Sequence, residues 1–175
     1  GLKVVALEPK TRADAGRVVA RLGEVLQVPG ADALMRQIDA GVAAAAQSVP
    51  AAARGQRVYF EVTPSPHAAG HGSFIGELLT ELGLGNIIGP EQGPFPRINP
   101  ELVVRAAPDL IMSSSQSAAD MPRRPGWASL KALRDGRVCV FDAEQRNILV
   151  RPGPRMPEAA RLMADCAAKS VAAKK

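Results

Sequence analysis

The stretch RVYFEVTPSPHAAGHGSFIGELLTELGL, residues 57–84, decides the fold class. Its first six residues form a short apolar run with β-branched and aromatic side chains, which reads as a strand. Its last part sets Phe74, Ile75, Leu78, Leu79 and Leu82 at helical spacing. Ser73 can cap that helix, Glu77 lies in its first turn, and Gly83 and Gly85 end it. Between strand and helix lie Pro64, Pro66, Gly70, Gly72 and both histidines of the chain, His67 and His71. Strand, loop and helix in that order make half of a parallel crossover unit. The histidine loop then leaves the carboxyl end of its strand, where open α/β sheets hold their ligands.

The same alternation extends outward. Residues 2–7, LKVVAL, read as a buried strand. Thr11 then caps a helix that reaches Leu26 and sets Val18, Val19, Leu22 and Leu26 on one face. A second helix, 32–47, carries Leu34, Met35, Ile38 and Val42. Downstream, 86–88 and 109–112 read as strands. Asn99-Pro100-Glu101 has the form of a helix start, with Asn as cap, Pro in the first turn and Glu at the positive end. A serine-rich loop (113–117), a short helix (127–133), the strand Val138–Phe141, a rigid turn (151–155) and a last helix (157–169) follow. The expected fold is α/β: a three-layer body with a mostly parallel sheet, preceded by a long helix. Right-handed crossovers bring the loops 63–72, 113–125 and 142–155 to one edge of the sheet.

The 175 residues suffice for one domain with a substantial core. No run of about 18 apolar residues occurs, so no membrane insertion is expected. The chain begins at Gly1 without a basic-then-apolar leader, which suggests a processed protein or an excised fragment. The net charge of +5 is uneven: residues 1–120 carry a net −2 and residues 121–175 a net +7. A basic end suits an anionic ligand or a plain solvated surface. Nucleic acid is not expected, because aromatic residues make up only 3% and stacking platforms are scarce. Cys139 and Cys166 form no CxxC pattern; they read as two buried thiols or one disulfide. His67 and His71 are spaced four apart, but the surrounding prolines and glycines argue against a helix and no further ligand completes a set, so no metal and no cofactor is expected. No G-x-S-x-G elbow, P-loop or G-x-G-x-x-G occurs. Catalytic residues are therefore not assigned. The alternative is a small α/β hydrolase using the serine and histidine loops.

Several segments in order carry a family resemblance: RVYFEV…GHGSFIGELLTELGLGNII, PFPRINPELVVRAAPDLIM, RPGWASLKALRDGRVCVFD and RPGPR. Together they resemble the carboxyl-terminal lobe of the periplasmic substrate-binding proteins of ABC importers for cobalamin, ferric siderophores and haem. The resemblance covers about residues 1–168. It implies two α/β lobes joined by a long rigid helix, with a metal chelate held in the cleft between them and delivered to the transmembrane subunits of an ABC permease. It divides the chain into the end of an amino-terminal lobe (1–10), the connecting helix (11–27) and the carboxyl-terminal lobe (28–175). Most of the first lobe is then missing from the sequence. The resemblance implies a binding protein in the periplasm and not an enzyme. By position, Glu101 matches the acidic residue that docks on permease arginines. Phe60, Glu61, His67, His71, Phe95, Arg97, Trp127 and Arg151 are the candidates for ligand contact, Trp127 being equally a core residue. A periplasmic home permits a Cys139–Cys166 disulfide.

Overall fold

The computed structural model describes residue 4 and residues 7–63 and 66–172, the side chains of 114–117 excepted. The strand expected at 2–7 lies largely outside the described residues. Two helices come first, α1 (Arg12–Leu26) and α2 (Ala31–Ser48). The central strand β1 (Arg57–Thr63) follows, then the two-residue strand β2 (His67–Ala68) and helix α3 (Phe74–Glu81). Next are β3 (Gly85–Asn86), α4 (Pro100–Ala106), β4 (Leu110–Ser114) and α5 (Ser115–Asp120). The chain closes with α6 (Lys131–Arg134), β5 (Val138–Phe141), α7 (Ala143–Leu149) and α8 (Met156–Ala172).

The sheet runs β2-β1-β4-β5, with β3 also on β1. β1 pairs in parallel with β3 and β4, and β4 with β5. Only β2 is antiparallel, folded back on the end of β1. The fold is thus α/β with a mostly parallel sheet. Side chains alternate across it as the pleat requires. Val58, Phe60, Leu110 and Met112 enter a core shared with residues of α2, α3 and α8. Tyr59 and Ile111 enter a second core with Val103 of α4, Met121, Trp127 and Leu130. Burial on both faces explains why β1 reads as a continuous apolar run instead of an alternating one.

Local chemistry sets the ends of the elements. Thr11 and Asp14 form a capping box on α1, and Asp142 and Gln145 one on α7. Hydrogen bonds from the Lys10 and Thr11 amides, then from the Thr11 hydroxyl, hold the Asp14 carboxyl below the usual carboxylate range. Helices α2 and α8 cross closely at Gly41, where a Cβ would come within 2.7 Å of Pro157. The Cys139–Cys166 disulfide joins β5 to α8, with Cα atoms 5.9 Å apart. Helix α1 is held at its start: the Arg12 side chain pairs with Asp39 of α2 and Glu81 of α3, and Lys10 O accepts from Phe74 N at 2.7 Å. Its other end is open, with Leu22, Val25, Leu26 and Val28 between 45% and 65% exposed.

Three expectations for local structure need correction. The serine-rich segment turns directly from β4 into α5, so it is not a loop throughout. The helix expected at 127–133 is a 3₁₀ turn (Trp127–Ser129) and then α6, bent at Leu130, whose backbone is extended. The segment 142–155 contains α7, which the sequence reading passed over despite its capping residues.

Candidate functional site

The carboxyl ends of β1, β4 and β5 lie together, as parallel pairing requires. Around the end of β1 the chain builds a rim from two adjacent stretches. Ala68 N and Gly70 N donate to the carbonyls of Pro96 (3.0 Å) and Pro94 (2.8 Å), and Ile98 N donates to Pro66 O (2.9 Å). His67 and Arg97 form an antiparallel bridge between the two stretches. A Cβ at Gly70 would lie 2.0 Å from the Gly93 carbonyl oxygen, so only glycine allows this approach. The sequence thus uses its glycines to lay the histidine loop against 93–98, and its prolines to keep both stretches extended.

The rim holds four of the predicted residues. His67 is half-buried and shares a hydrogen bond with the Thr63 hydroxyl at 3.2 Å. Arg97 is exposed and Phe95 half-buried against the core. His71 is half-buried; its Nδ1–H donates to Ile88 O at 2.5 Å, which leaves Nε2 as an acceptor when the ring is neutral. Arg151 is also exposed, beyond α7 in the 151–155 turn. Among the described residues, no three His, Cys, Asp or Glu side chains converge as metal ligands.

The other predicted contact residues are placed inside the protein. Phe60 is 2% exposed and stacks on Phe141 at 6.4 Å between centroids, so it is a core residue. Trp127 is fully buried; its Nε1–H donates to Pro100 O at 3.2 Å, and its ring meets Tyr59 edge to face at 5.6 Å. It offers no platform to a ligand. Glu61, 1% exposed, is held by both guanidinium nitrogens of Arg124 at 2.5 and 2.9 Å and accepts from Tyr59 OH at 2.9 Å. These groups use the carboxylate inside the fold. The pairing holds Arg124 firmly protonated. Burial, and then the Glu61 carboxylate, push the Tyr59 phenol far above its ordinary range.

Arg124 is the residue that sequence reasoning missed. The signal was available: an acid inside a strand buried on both faces requires a cation, and Arg123 and Arg124 lie four and three residues before Trp127. Ser113, the first residue of the serine cluster, is 1% exposed, and its Oγ has no hydrogen-bond partner among the described residues.

A family profile described as periplasmic binding protein matches residues 1–145. The chain belongs to the periplasmic binding protein family. Solved structures share its fold. A possible iron-binding (periplasmic solute-binding) protein from Staphylococcus epidermidis ATCC 12228 is 22% identical, with a TM-score of 0.79 over 95% of this chain and 66% of that one. The periplasmic haem-binding protein of Roseiflexus sp. RS-1, in apo form, is 20% identical, with a TM-score of 0.75 over 91% of this chain and 64% of that one. The periplasmic vitamin B12-binding protein of Vibrio cholerae is 22% identical, with a TM-score of 0.71 over 98% and 67%. This periplasmic binding protein chain therefore spans about two thirds of the length of those structures. No curated protein sequence matches it. No helix among its described residues is long and apolar enough to cross a membrane.

Proposed function

We propose that this chain is the carboxyl-terminal lobe of the solute-binding component of an ABC importer. It captures a metal chelate (cobalamin, a ferric siderophore or haem) in a cleft against a second lobe, in the periplasm. The observation that carries the reading is the rim itself: His67, His71, Phe95 and Arg97 gathered where a mostly parallel sheet ends, in a member of this family. Haem- and vitamin B12-binding proteins share the fold. The rim combines an apolar ring, imidazoles and an exposed guanidinium, which suits a large planar or amphipathic ligand with anionic edges. One half of a cleft gives half the contacts, so useful affinity belongs to the two lobes together.

In this proposal the chain divides at 1–10, 11–27 and 28–175, with α1 as the element between lobes. The open apolar side of α1 supports it. Together with Leu34, Pro152 and Pro154 it lines a groove of about 380 Å³, the kind of surface a second body covers. Glu101, exposed in the first turn of α4, is the docking carboxylate for a permease arginine.

The test is titration of the intact protein with haemin, cyanocobalamin and ferrichrome, followed by absorbance and by Trp127 fluorescence. Saturable binding of one, weakened at least tenfold by Arg97→Ala or His67→Ala, is the expected result. Binding of none of the three, or binding indifferent to both substitutions, overturns the reading. Glu101→Ala is expected to lower uptake of the bound chelate at unchanged affinity; unchanged uptake removes the docking assignment.

A further inference from the structure

We propose that Glu61, Arg124 and Trp127 form a positioning chain that fixes the first turn of α4, and with it Glu101, relative to the ligand rim. Each link is a direct contact. Glu61 stands near the carboxyl end of β1, two residues before Thr63, which hydrogen-bonds His67. Its carboxylate takes the fork of Arg124. The guanidinium carbon of Arg124 lies 4.5 Å from the centroid of the Trp127 ring, a cation–π stack. The indole N–H of Trp127 donates to the carbonyl of Pro100, the residue before Glu101. Helix α4 is only seven residues long, and its own cap is the Asn99 side chain accepting from Glu101 N. So short a helix has little stability of its own. Its orientation has to come from what it packs against, and the Trp127 bond is a polar tie in that contact.

The turn between Arg124 and Trp127 adds to the same surface. Pro125 and Gly126 line a groove of about 470 Å³ with Glu101, Val104 and Arg105. Gly126 has a left-handed backbone (φ 78°), and a Cβ there would come 3.1 Å from Val104, so the turn fits closely on α4. The wall of the Glu101 groove is therefore anchored, through Arg124, to a buried carboxylate of the central strand. Glu61, Arg124 and Trp127 touch neither ligand nor partner in this scheme; they are positioning residues. The inference rests on the docking reading of Glu101 for its purpose, though not for its geometry.

Site-resolved hydrogen exchange on the intact protein tests it. The double variant Glu61→Gln/Arg124→Met, which removes both buried charges together and so spares most of the global cost of orphaning one, is expected to speed exchange of the α4 amides by roughly fivefold, the equivalent of one ordinary hydrogen bond. Trp127→Phe, which keeps an aromatic ring but removes the donor, is expected to do the same. Amides of α8, in the opposite layer, serve as the control, because a general loss of stability would speed both helices alike. Faster exchange confined to α4 and the 125–126 turn supports the chain of contacts. Unchanged α4 amides in both variants, or equal acceleration in α8, overturn it. Failure of Glu101→Ala to lower uptake would remove the docking role and leave this exchange result standing, so the two failures are distinct.

Discussion

Arg124→Met is the most informative single substitution. The Glu61 side chain is wholly inaccessible and that of Arg124 is 14% accessible. Methionine keeps much of the aliphatic volume over Trp127 but leaves the carboxylate buried beside Tyr59 with no cation. Breaking a buried pair in this way costs about 3–5 kcal/mol, because the orphaned charge keeps its desolvation penalty. Domains of this kind have roughly 5–15 kcal/mol in all, so the variant should fold with a sharply lower urea midpoint. Trp127 is the only tryptophan in the chain and reports from inside the affected cluster. Glu61→Gln/Arg124→Met keeps an acceptor for Tyr59 and removes both charges, and should recover most of the loss. A cost under about 1 kcal/mol at pH 7, or a double variant as unstable as the single one, would refute the view of this pair as a desolvated internal bridge.

Three further outcomes follow from the same geometry. Tyr59 is the only tyrosine, and its phenol is held protonated by burial and by Glu61. A raised folded-state pKa adds stability that is fully present below about pH 10 and is lost as pH rises, at roughly 1.4 kcal/mol per pH unit. Phenolate absorbance should therefore appear only together with unfolding; reversible ionisation in the folded protein would contradict the buried assignment. Reducing Cys139–Cys166, which closes a span of 27 residues, should cost roughly 3–4 kcal/mol by loop-closure entropy, and a urea midpoint unmoved by reductant would count against it. Gly70→Ala, whose Cβ would strike the Gly93 carbonyl, should cost about 1–3 kcal/mol and weaken chelate binding by prising the histidine loop from 93–98; wild-type stability and binding would show that the two stretches are not in register as described.

Much of this architecture was legible because it follows from periodicity and punctuation. Ser73 before an apolar stripe, Asn99-Pro100 before Glu101, and Thr11 each marked a helix start that the structure keeps. The misses have a common physical cause: short segments whose conformation is decided by distant partners. Residues 127–133 have helical composition, yet Leu130 is buried and the segment bends there to insert it beside Trp127 in the second core. The strand β2 is two residues long and exists because β1 and 93–98 flank it. The sequence placed the histidine loop after β1, as the structure does, but not the direction in which strand residues point. Phe60, Glu61 and Trp127 have the right chemistry for a cleft and stand near it in sequence, yet all three are directed inward.

That inward direction constrains what the cleft can be. In a strand covered on both faces, the side chains between its ends belong to one core or the other, as Val58–Glu61 do here. Phe60 goes to the core of α2, α3 and α8, and Glu61 to that of Tyr59 and Trp127. On the proposed reading, β1 offers a ligand at this edge only what lies beyond the strand's end: Thr63, the histidine loop and the stretch that pairs with it. On the same reading, specificity is a property of loops fixed by backbone bonds, as at Gly70 and Ala68, and it can change without disturbing the cores. A buried charge is a different matter. Glu61 costs stability unless Arg124 reaches it, and Arg124 reaches it only if the chain from 121 to 129 is folded against the sheet. The pair thus makes the arrangement of that segment all-or-none. A groove wall beside Glu101 that must either be in place or expose a buried carboxylate is better suited to presenting a rigid docking surface than one held by apolar contacts alone.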